Sequence, residues 1–568
     1  MTAVLRAEEP SARYLAQFEP TLVRWFELLA TAPGGIARLR GLLVTLAVRG
    51  LLVRQTPSDE PALELVRRIA KACGRTPPSF TVDGLPEGWA RVAFGDYANE
   101  INTGPFGSLI GKGDYVDGGV PLVNPSHMRQ GRIVAEANVS VSEDKAVELS
   151  SYRLRAGDIV FARRGEVGRT ALVTEAEHDW LCGTGSFFAR FHTDADREYV
   201  QLVFASPATR AYLGGEAVGS TMVNLNQRAL RSAAIDLPPL AVQHRIVARV
   251  EELMKLCDAL VQSGRLADEQ HARLTSTLFD ALAASESAHA LAENWERVAE
   301  HFDILLDRPE AIDSLEQTIL QLAVRGFLVS QIAAEESAPS LLDRLRVDRD
   351  RETAIGKMKH DRPLSAVGED EHPFRLPVGW CWTRLGAAGV TSTGGTPPTG
   401  RSDYFGTDVA YVKPGSLGPK GVTYAEEGLS ESGAKLIGFV EPPAVLMVCI
   451  GGSIGKAALA TRKCAFNQQI NAVRPLLPTM AAYLLIALSS TDFQLQVLGK
   501  AGTCTLPIIS KGKWEQLLIP MPPLSEQHRI VARVEELRRL CAQLRDRLTD
   551  ARRAQSQLAE ALIAEVAK

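Results

Sequence analysis

The chain has no apolar run long enough to cross a membrane, which takes about 20 uninterrupted residues. Its longest such stretch, Leu39 to Val53, is broken by Arg40 and Arg49. The opening residues, MTAVLRAEEPSARYL, lack a basic segment followed by an apolar run and a cleavage site, so a cytoplasmic location and no membrane partner are expected. The eight cysteines (Cys73, Cys182, Cys257, Cys381, Cys449, Cys464, Cys504 and Cys541) are dispersed without a C-x-x-C pair, and no histidine cluster has metal-ligand spacing. That argues against a zinc site or a disulfide framework. Positive charge is not in excess either: 63 Lys+Arg face 67 Asp+Glu, a net charge of −4 that does not by itself announce a nucleic-acid binder.

Catalytic signatures are missing too. GGSIGKA (Gly451 to Ala457) fails the phosphate-loop pattern, because Ile450 stands where its first Gly is needed and Ala457 where Ser or Thr binds magnesium. Asn124-Pro125-Ser126-His127 lacks the second Pro and the aromatic of the amino-methyltransferase motif. No triad motif, HExxH or helicase motif is present, so no catalytic machinery, bound cofactor or metal is expected on this chain.

What the chain does contain is itself, twice. With 568 residues it is too long for one hydrophobic core, and length alone suggests roughly three to four domains. Pro238 to Cys257 (PPLAVQHRIVARVEELMKLC) and Pro522 to Cys541 (PPLSEQHRIVARVEELRRLC) agree at 16 of 20 positions at an offset of 284, half the chain. Phe26 to Gly50 matches Phe302 to Gly326 at an offset of 276, and LPEGW (Leu85 to Trp89) matches LPVGW (Leu376 to Trp380) at 291. The order of parts is A (1–84), T (85–237), B (238–285), A′ (286–375), T′ (376–521) and B′ (522–568), B and A′ together forming a central helical region, 238–375. T and T′ match only faintly, as in GEVGRTALV against GSIGKAALA.

In B the apolar residues fall at Ile246, Val250, Leu253, Cys257 and Leu260, then at Leu274, Leu278 and Ala281; in B′ they fall at Ile530, Val534, Leu537, Cys541, Leu544, Leu548, Ala551, Leu558 and Leu562. This 4-3 alternation is a coiled-coil seam, and an antiparallel pair of long helices, related by a pseudo-two-fold, is expected. The same symmetry predicts that A packs near the end of B′ and that the termini are close. A seam leaves most of the shared Gln243, His244, Arg245, Arg249, Glu251 and Glu252, with Gln527, His528, Arg529, Arg533 and Glu536, facing outward. Residues kept outward in both copies predict a partner surface used twice.

T and T′ read as α/β (α+β), with strands around Asp158 to Ala162 and Ala444 to Ile450 and helices over Glu198 to Leu213 and Thr479 to Leu498. Their Gly-rich loops bring backbone close to a ligand and carry polar side chains of the kind that read bases and phosphates. The candidate contacts are Thr103, Ser108, Lys112, Asn124, Arg163 and Arg164 in T, and Thr396, Tyr404, Lys413, Ser453, Lys456, Gln468 and Gln469 in T′. T has 15 Lys+Arg against 19 Asp+Glu, and T′ has 12 against 8.

PPLxxQHRIVARVEEL twice, LAVRGxLVxQ twice, LPxGW before each variable segment, INTGPFGS in T and TGGTPP…DYF…VKPGS in T′ together resemble the specificity subunit of type I restriction-modification enzymes, over essentially the whole chain. The resemblance implies that T and T′ are target-recognition domains, each reading one half of a bipartite double-stranded DNA site, with the helices fixing the spacer. It implies two modification subunits, which bind S-adenosylmethionine and methylate adenine N6, and two restriction subunits, which use ATP and Mg, in a complex for phage defence. The long extension before Phe26 and the acidic T segment depart from the pattern. The alternative from another class is a purely structural coiled-coil scaffold that tethers two proteins without reading DNA; a third, an enzyme with hidden nuclease or ATPase activity, is disfavoured by the failed phosphate loop.

Overall fold

The computed structural model describes residues 28–106, 109–134, 136, 139–217, 224–354, 364–502 and 506–566. The extension before Phe26 and the two chain ends lie outside the described residues. The chain forms two compact units, one drawn from Met1–Leu266 and Arg552–Lys568, the other from Ala267–Ala551.

In the first unit, T is closed by its own ends: Ala90–Ala93 pairs antiparallel with Ala234–Leu237, placing Ala90 opposite Leu237. Inside this clasp an antiparallel sheet runs in the order Glu100–Thr103, Ser186–Arg190, Ile159–Ala162, Thr170–Leu172. Beside it Val120–Val123 and Leu181–Cys182 run parallel. The core is aromatic where helix meets sheet: Phe204 packs edge-on against Phe94 and Phe161, with ring centroids 4.7 and 4.8 Å away.

The second unit repeats this plan with other residues. Cys381–Arg384 pairs with Leu518–Met521. The sheet order is Gly389–Thr393, Ile470–Pro475, Ala444–Val448, Ala457–Ala460. Ala410–Val412 and Cys464–Phe466 form the parallel pair. Each expected T helix is two: Arg197–Ala205 with Pro207–Glu216, and Ala481–Ser489 with Thr491–Lys500. The chain breaks at Ser206 and Ser490, whose hydroxyls accept from the backbone N–H groups of Thr209 and Phe493 and so cap the second helix.

The repeated motifs outside T and T′ hold one another. Gly50 turns with φ 74°, and a Cβ there would lie 2.6 Å from the Trp89 ring, so only glycine lets the LPEGW tryptophan seat. The Trp89 indole N–H donates to Gln55 Oε1 at 3.0 Å. In the second unit the Trp380 N–H donates to Glu526 Oε2 at 3.0 Å and Gln331 Nε2 donates to Glu526 Oε1 at 3.1 Å. Arg245 and Asp59 are ion-paired at 2.6 Å, and Arg529 pairs with Glu335 in the same way. LAVRG…Q, LPxGW and QHRIVARVEEL therefore recur because they form one joint between A, T and B, built once in each unit.

B and B′ are single helices, Leu240–Ala283 of 44 residues and Leu524–Val566 of 43, each beginning in one unit and ending in the other. In the first unit A packs on the end of B′, as the symmetry predicts: Ala559 is buried with Leu29 and Ala32, and Arg38 donates to Ser556 at 3.0 Å. In the second unit A′ packs on the end of B, where His271 Nε2 meets the Ile304 carbonyl at 2.9 Å and Arg308 pairs with Asp268 at 2.6 Å.

The apolar positions of the expected seam are buried in the cores of their own units: Ile246, Val250, Leu253 and Cys257 in the first, Ile530, Val534 and Cys541 in the second; further along, the buried positions shift. Leu274 is 44% exposed while Thr275, Phe279 and Leu282 are buried; Leu558 is 45% exposed while Ala559 is buried. Residues 261–270 are exposed throughout. Leu274 and Leu558 both stand 28 residues after the seam's first residue, and a straight helix drifts about 20° per heptad from a 3.5-residue repeat, so four heptads bring the next residue inward. The buried positions along B thus follow a 3.6-residue rather than a 3.5-residue period. Among the described residues no single helix is long and apolar enough to cross a membrane, and no group of three or more His, Cys, Asp or Glu could hold a metal ion.

Candidate nucleic-acid interface

In T the loops converge on the turn Gly183-Thr184-Gly185. The Gly183 N–H donates to the Val123 carbonyl at 3.0 Å, Ser186 N to Gly183 O at 3.1 Å, Arg163 N to Gly185 O at 2.8 Å, and Gly104 N to Ser186 O at 2.9 Å. Backbones approach so closely that a Cβ on Gly104 would sit 2.0 Å from the Gly183 carbonyl oxygen, and one on Gly183 would sit 2.1 Å from Asn124 Oδ1. Thr103, Asn124 and Arg163 are thus gathered around one turn.

T′ makes the same four bonds: Asn467 N to Val412 O at 3.1 Å, Ile470 N to Asn467 O at 3.1 Å, Cys449 N to Gln469 O at 2.7 Å, and Gly394 N to Ile470 O at 3.1 Å. Here too a Cβ on Gly394 would lie 2.0 Å from a carbonyl oxygen, that of Phe466. A fifth pair extends the match, with Leu225 N to Arg163 O and Ile509 N to Cys449 O both 2.9 Å. Even the short turns after the parallel strands agree: His127 N donates to Asn124 O at 3.0 Å and Ser416 N to Lys413 O at 2.8 Å, while Asn124 N donates to His127 Nδ1 and Lys413 N to Ser416 Oγ. The NPSH segment is therefore a structural turn with His127 buried inside it.

On this shared frame the side chains differ. Asn124 corresponds to Lys413, Thr184 to Gln468, Gly185 to Gln469, Arg163 to Cys449 and Arg164 to Ile450. Thr396, Tyr411, Lys413 and Gln468 come together in T′: the Tyr411 hydroxyl donates to the Gly395 carbonyl at 2.9 Å and touches Thr396 Oγ1 at 3.1 Å, the Thr396 hydroxyl donates to Gln468 Oε1, and Lys413 Nζ stands 6.0 Å from the Tyr411 ring centroid. Gln469 instead accepts from Asn467 Nδ2 at 2.9 Å within its own loop. Ser453 and Lys456 are exposed on the neighbouring hairpin turn. Tyr404 lies apart, under Arg401 and beside the helix Glu431–Ile437.

In T, Arg164 is exposed. Arg163 is half-buried, with its guanidinium 5.7 Å from the centre of the Phe187 ring and its Nε donating to the Leu225 carbonyl. Burial and the neighbouring Arg164 cation both lower its pKa, so Arg163 is more brace than free contact. Lys112 begins a short 3-10 turn, Lys112–Asp114; Ser108 falls outside the described residues. Sequence reasoning passed over Thr184 and Tyr411. Thr184 carries no long polar side chain to draw attention, and Tyr411 is recognisable only once two distant loops meet on it.

The shared helix residues divide. Gln243 and Gln527 are fully buried and donate to the carbonyls of Pro238 and Pro522 at 2.8 and 3.0 Å. This corrects the expectation that they face outward: both lie in the first helical turn, covered by the strand that ends T or T′. Arg245 and Arg529 are used in the internal ion pairs, and the Arg245 guanidinium holds the Asp59 carboxyl down to about 2, as Arg529 holds Glu335 below its ordinary value. Outward-facing in both copies are His244 with His528, Glu251 with Glu535 and Glu252 with Glu536; in the i,i+3 pairs Arg249–Glu252 and Arg533–Glu536, Arg533 is exposed but Arg249 is largely buried, its side chain 14% exposed, which corrects the expectation that it faces outward. His244 opens on a cleft of about 670 Å³ shared with Asp196, Glu198, Val247 and Glu251.

Comparisons with known proteins place the chain in a family. The family model for the "type I restriction modification DNA specificity domain" matches residues 86–268 and 377–550, together more than half of the chain. The Type I restriction enzyme EcoAI specificity subunit of Escherichia coli is 30% identical over 93% of this chain and 93% of its own length. The EcoEI specificity subunit of Escherichia coli is 28% identical over the same shares. The solved HsdS subunit from Thermoanaerobacter tengcongensis shares 19% identity at a TM-score of 0.39, covering 86% of this chain and 99% of that one. The chain belongs to the family of type I restriction-modification specificity subunits, with two DNA specificity domains.

Proposed function

We propose that this chain reads a bipartite double-stranded DNA site, T (85–237) reading one half and T′ (376–521) the other, within a cytoplasmic type I restriction-modification complex. The observation that carries the reading is the pair of T frames, alike in five backbone hydrogen bonds and unlike in the side chains mounted on them. Fixed backbones with exchanged polar side chains are what two readers of different sequences need, because base edges are distinguished by donor and acceptor patterns. Thr103, Asn124, Thr184 and Arg164 are the contacts assigned to T; Thr396, Lys413, Ser453, Lys456 and Gln468 those assigned to T′.

The long helices fix the spacer between the half-sites; at 1.5 Å per residue each extends about 65 Å. His244, Glu251 and Glu252, with His528, Arg533, Glu535 and Glu536, dock two modification subunits, which bring S-adenosylmethionine and methylate adenine N6. Restriction subunits bring ATP and Mg. The chain's net charge of −4 leaves much of the phosphate neutralisation to these partners.

The test is a gel shift and a methylation assay on the co-purified complex. Specific retention and methylation of one bipartite duplex, lost when either half is scrambled, is the expected result. A complex that assembles but shows no preference among duplexes returns the chain to a scaffold role.

A further inference from the structure

Gln468 stands at the tip of the turn on which the T′ loops converge, and it is held there from two directions. Phe466 and Ile470 on either side are buried, fixing the backbone. Its amide is reached by the Thr396 hydroxyl, and Thr396 in turn touches Tyr411, whose hydroxyl is anchored on the Gly395 carbonyl at 2.9 Å. A long exposed side chain ordinarily samples many rotamers, and ordering it on a ligand costs free energy. Here the protein has already ordered it: one end of the amide is engaged by Thr396, and the other end meets no described residue.

Its neighbour differs. Gln469 is half-buried, and its amide oxygen is taken by Asn467. Asn467 also accepts from the Gln469 backbone N–H at 3.1 Å, so this pair shapes the turn. In T the position of Gln468 is held by Thr184, which is too short to reach as far.

We infer that Gln468 is the residue that determines one base pair of the half-site read by T′, with Thr396 and Tyr411 as the positioning residues that present its amide. The inference rests on the DNA-reading function proposed above. A glutamine amide pairs with a base edge through its donor and acceptor atoms, and a fixed amide discriminates because a wrong base leaves one of them unsatisfied. Lys413, beside the Tyr411 ring, places a positive charge at the same spot for a phosphate or a purine edge.

The test is selection from a randomised duplex pool by the co-purified complex, carried out with Gln468→Ala, Gln468→Glu, Thr396→Val and Tyr411→Phe, each checked for an unchanged melting temperature. Gln468→Ala makes one pair of the T′ half-site degenerate, with a loss of discrimination of roughly 5- to 150-fold, and leaves the T half-site untouched. Gln468→Glu keeps the Thr396 contact and moves the preference at that pair toward cytosine, whose amino group donates. Thr396→Val and Tyr411→Phe relax the same pair to a smaller extent. An unchanged site with Gln468→Ala, relaxation in both half-sites, or relaxation of a different pair by Tyr411→Phe overturns the assignment while leaving the DNA-reading function intact. A wild-type complex that selects no sequence overturns both.

Discussion

Arg245 and Asp59 are ion-paired at 2.6 Å, and the same bond is made by Arg529 and Glu335, with Arg529 Nη2 at 3.0 Å from Glu335 Oε2. The two arginines are 284 residues apart and the two acids 276, the offsets at which their segments repeat. Each pair ties an A segment to the start of a B helix, so the duplicated unit kept a joint as well as a helix.

That joint has a pH signature. Asp59 titrates at about 2 when folded against an ordinary 3.8, so its contribution to stability is complete above pH 4 and disappears as pH falls toward 2. Asp59→Asn lowers the melting temperature at pH 7, by an amount corresponding to about 1 kcal/mol or less because the pair is partly exposed. Melting curves of variant and wild type recorded from pH 7 downward converge near pH 2; a gap that persists there contradicts the ion-pair account.

The second joint turns on Trp380. Trp380→Phe keeps the ring but removes the N–H that donates to Glu526, a glutamate whose pKa burial has already raised. Losing a donor to a buried carboxylate costs about 1–3 kcal/mol. Urea denaturation of the full chain measures it, and a midpoint equal to wild type would show that Glu526 does not depend on the indole.

Gly104 and Gly394 let the convergent turns of T and T′ close. An alanine at either position places its Cβ 2.0 Å from a backbone carbonyl oxygen, which forces the turn apart at a cost of about 2–3 kcal/mol. Gly104→Ala impairs recognition at the T half-site and Gly394→Ala at the T′ half-site, each without affecting the other, as separate half-site substitutions in a binding assay reveal.

Adjacent arginines in T have opposite expected phenotypes. Arg164→Ala leaves the melting temperature alone and weakens DNA binding by about 1–3 kcal/mol, because the side chain is exposed. Arg163→Ala lowers stability by about 1–2 kcal/mol through loss of its contact with Phe187. Fluorescence anisotropy together with thermal melts separates the two effects, and equal loss of stability in both variants would contradict the division.

The duplication was legible without coordinates because Gln243 to Leu253 and Gln527 to Leu537 are written identically. The role of those letters was less so. Gln243 is polar and off the seam, yet buried, because the Pro238 carbonyl satisfies its amide and the strand ending T covers it, neither of which spacing along one helix reveals. Leu274 was a sound seam position, yet it is exposed, because this part of the helix is buried in the second unit's core through Phe279 and Leu282, whereas Ile246 to Cys257 belong to the first. In the reading loops, residue type picked out Lys413 and Gln468, and Asn124 proved to be Lys413's counterpart in T. Tyr411 escaped notice because its meaning comes from Gly395, Thr396 and Gln468, which the fold brings together from 16, 15 and 57 residues away. Arg163 looked like a contact for the same reason in reverse: Phe187 and Leu225, which hold it back, are distant in the chain.

The central claim is that two domains on one chain read two halves of one DNA site. Mapping methylated adenines across a genome in cells that carry the cognate modification subunit tests it most directly, with wild type, Asn124→Ala/Arg164→Ala and Lys413→Ala/Gln468→Ala compared. The account predicts a single bipartite motif for wild type, relaxation of one half alone by the T variant, and relaxation of the other half alone by the T′ variant. A motif altered in both halves by either variant, or methylation that follows no bipartite motif in wild type, would contradict it.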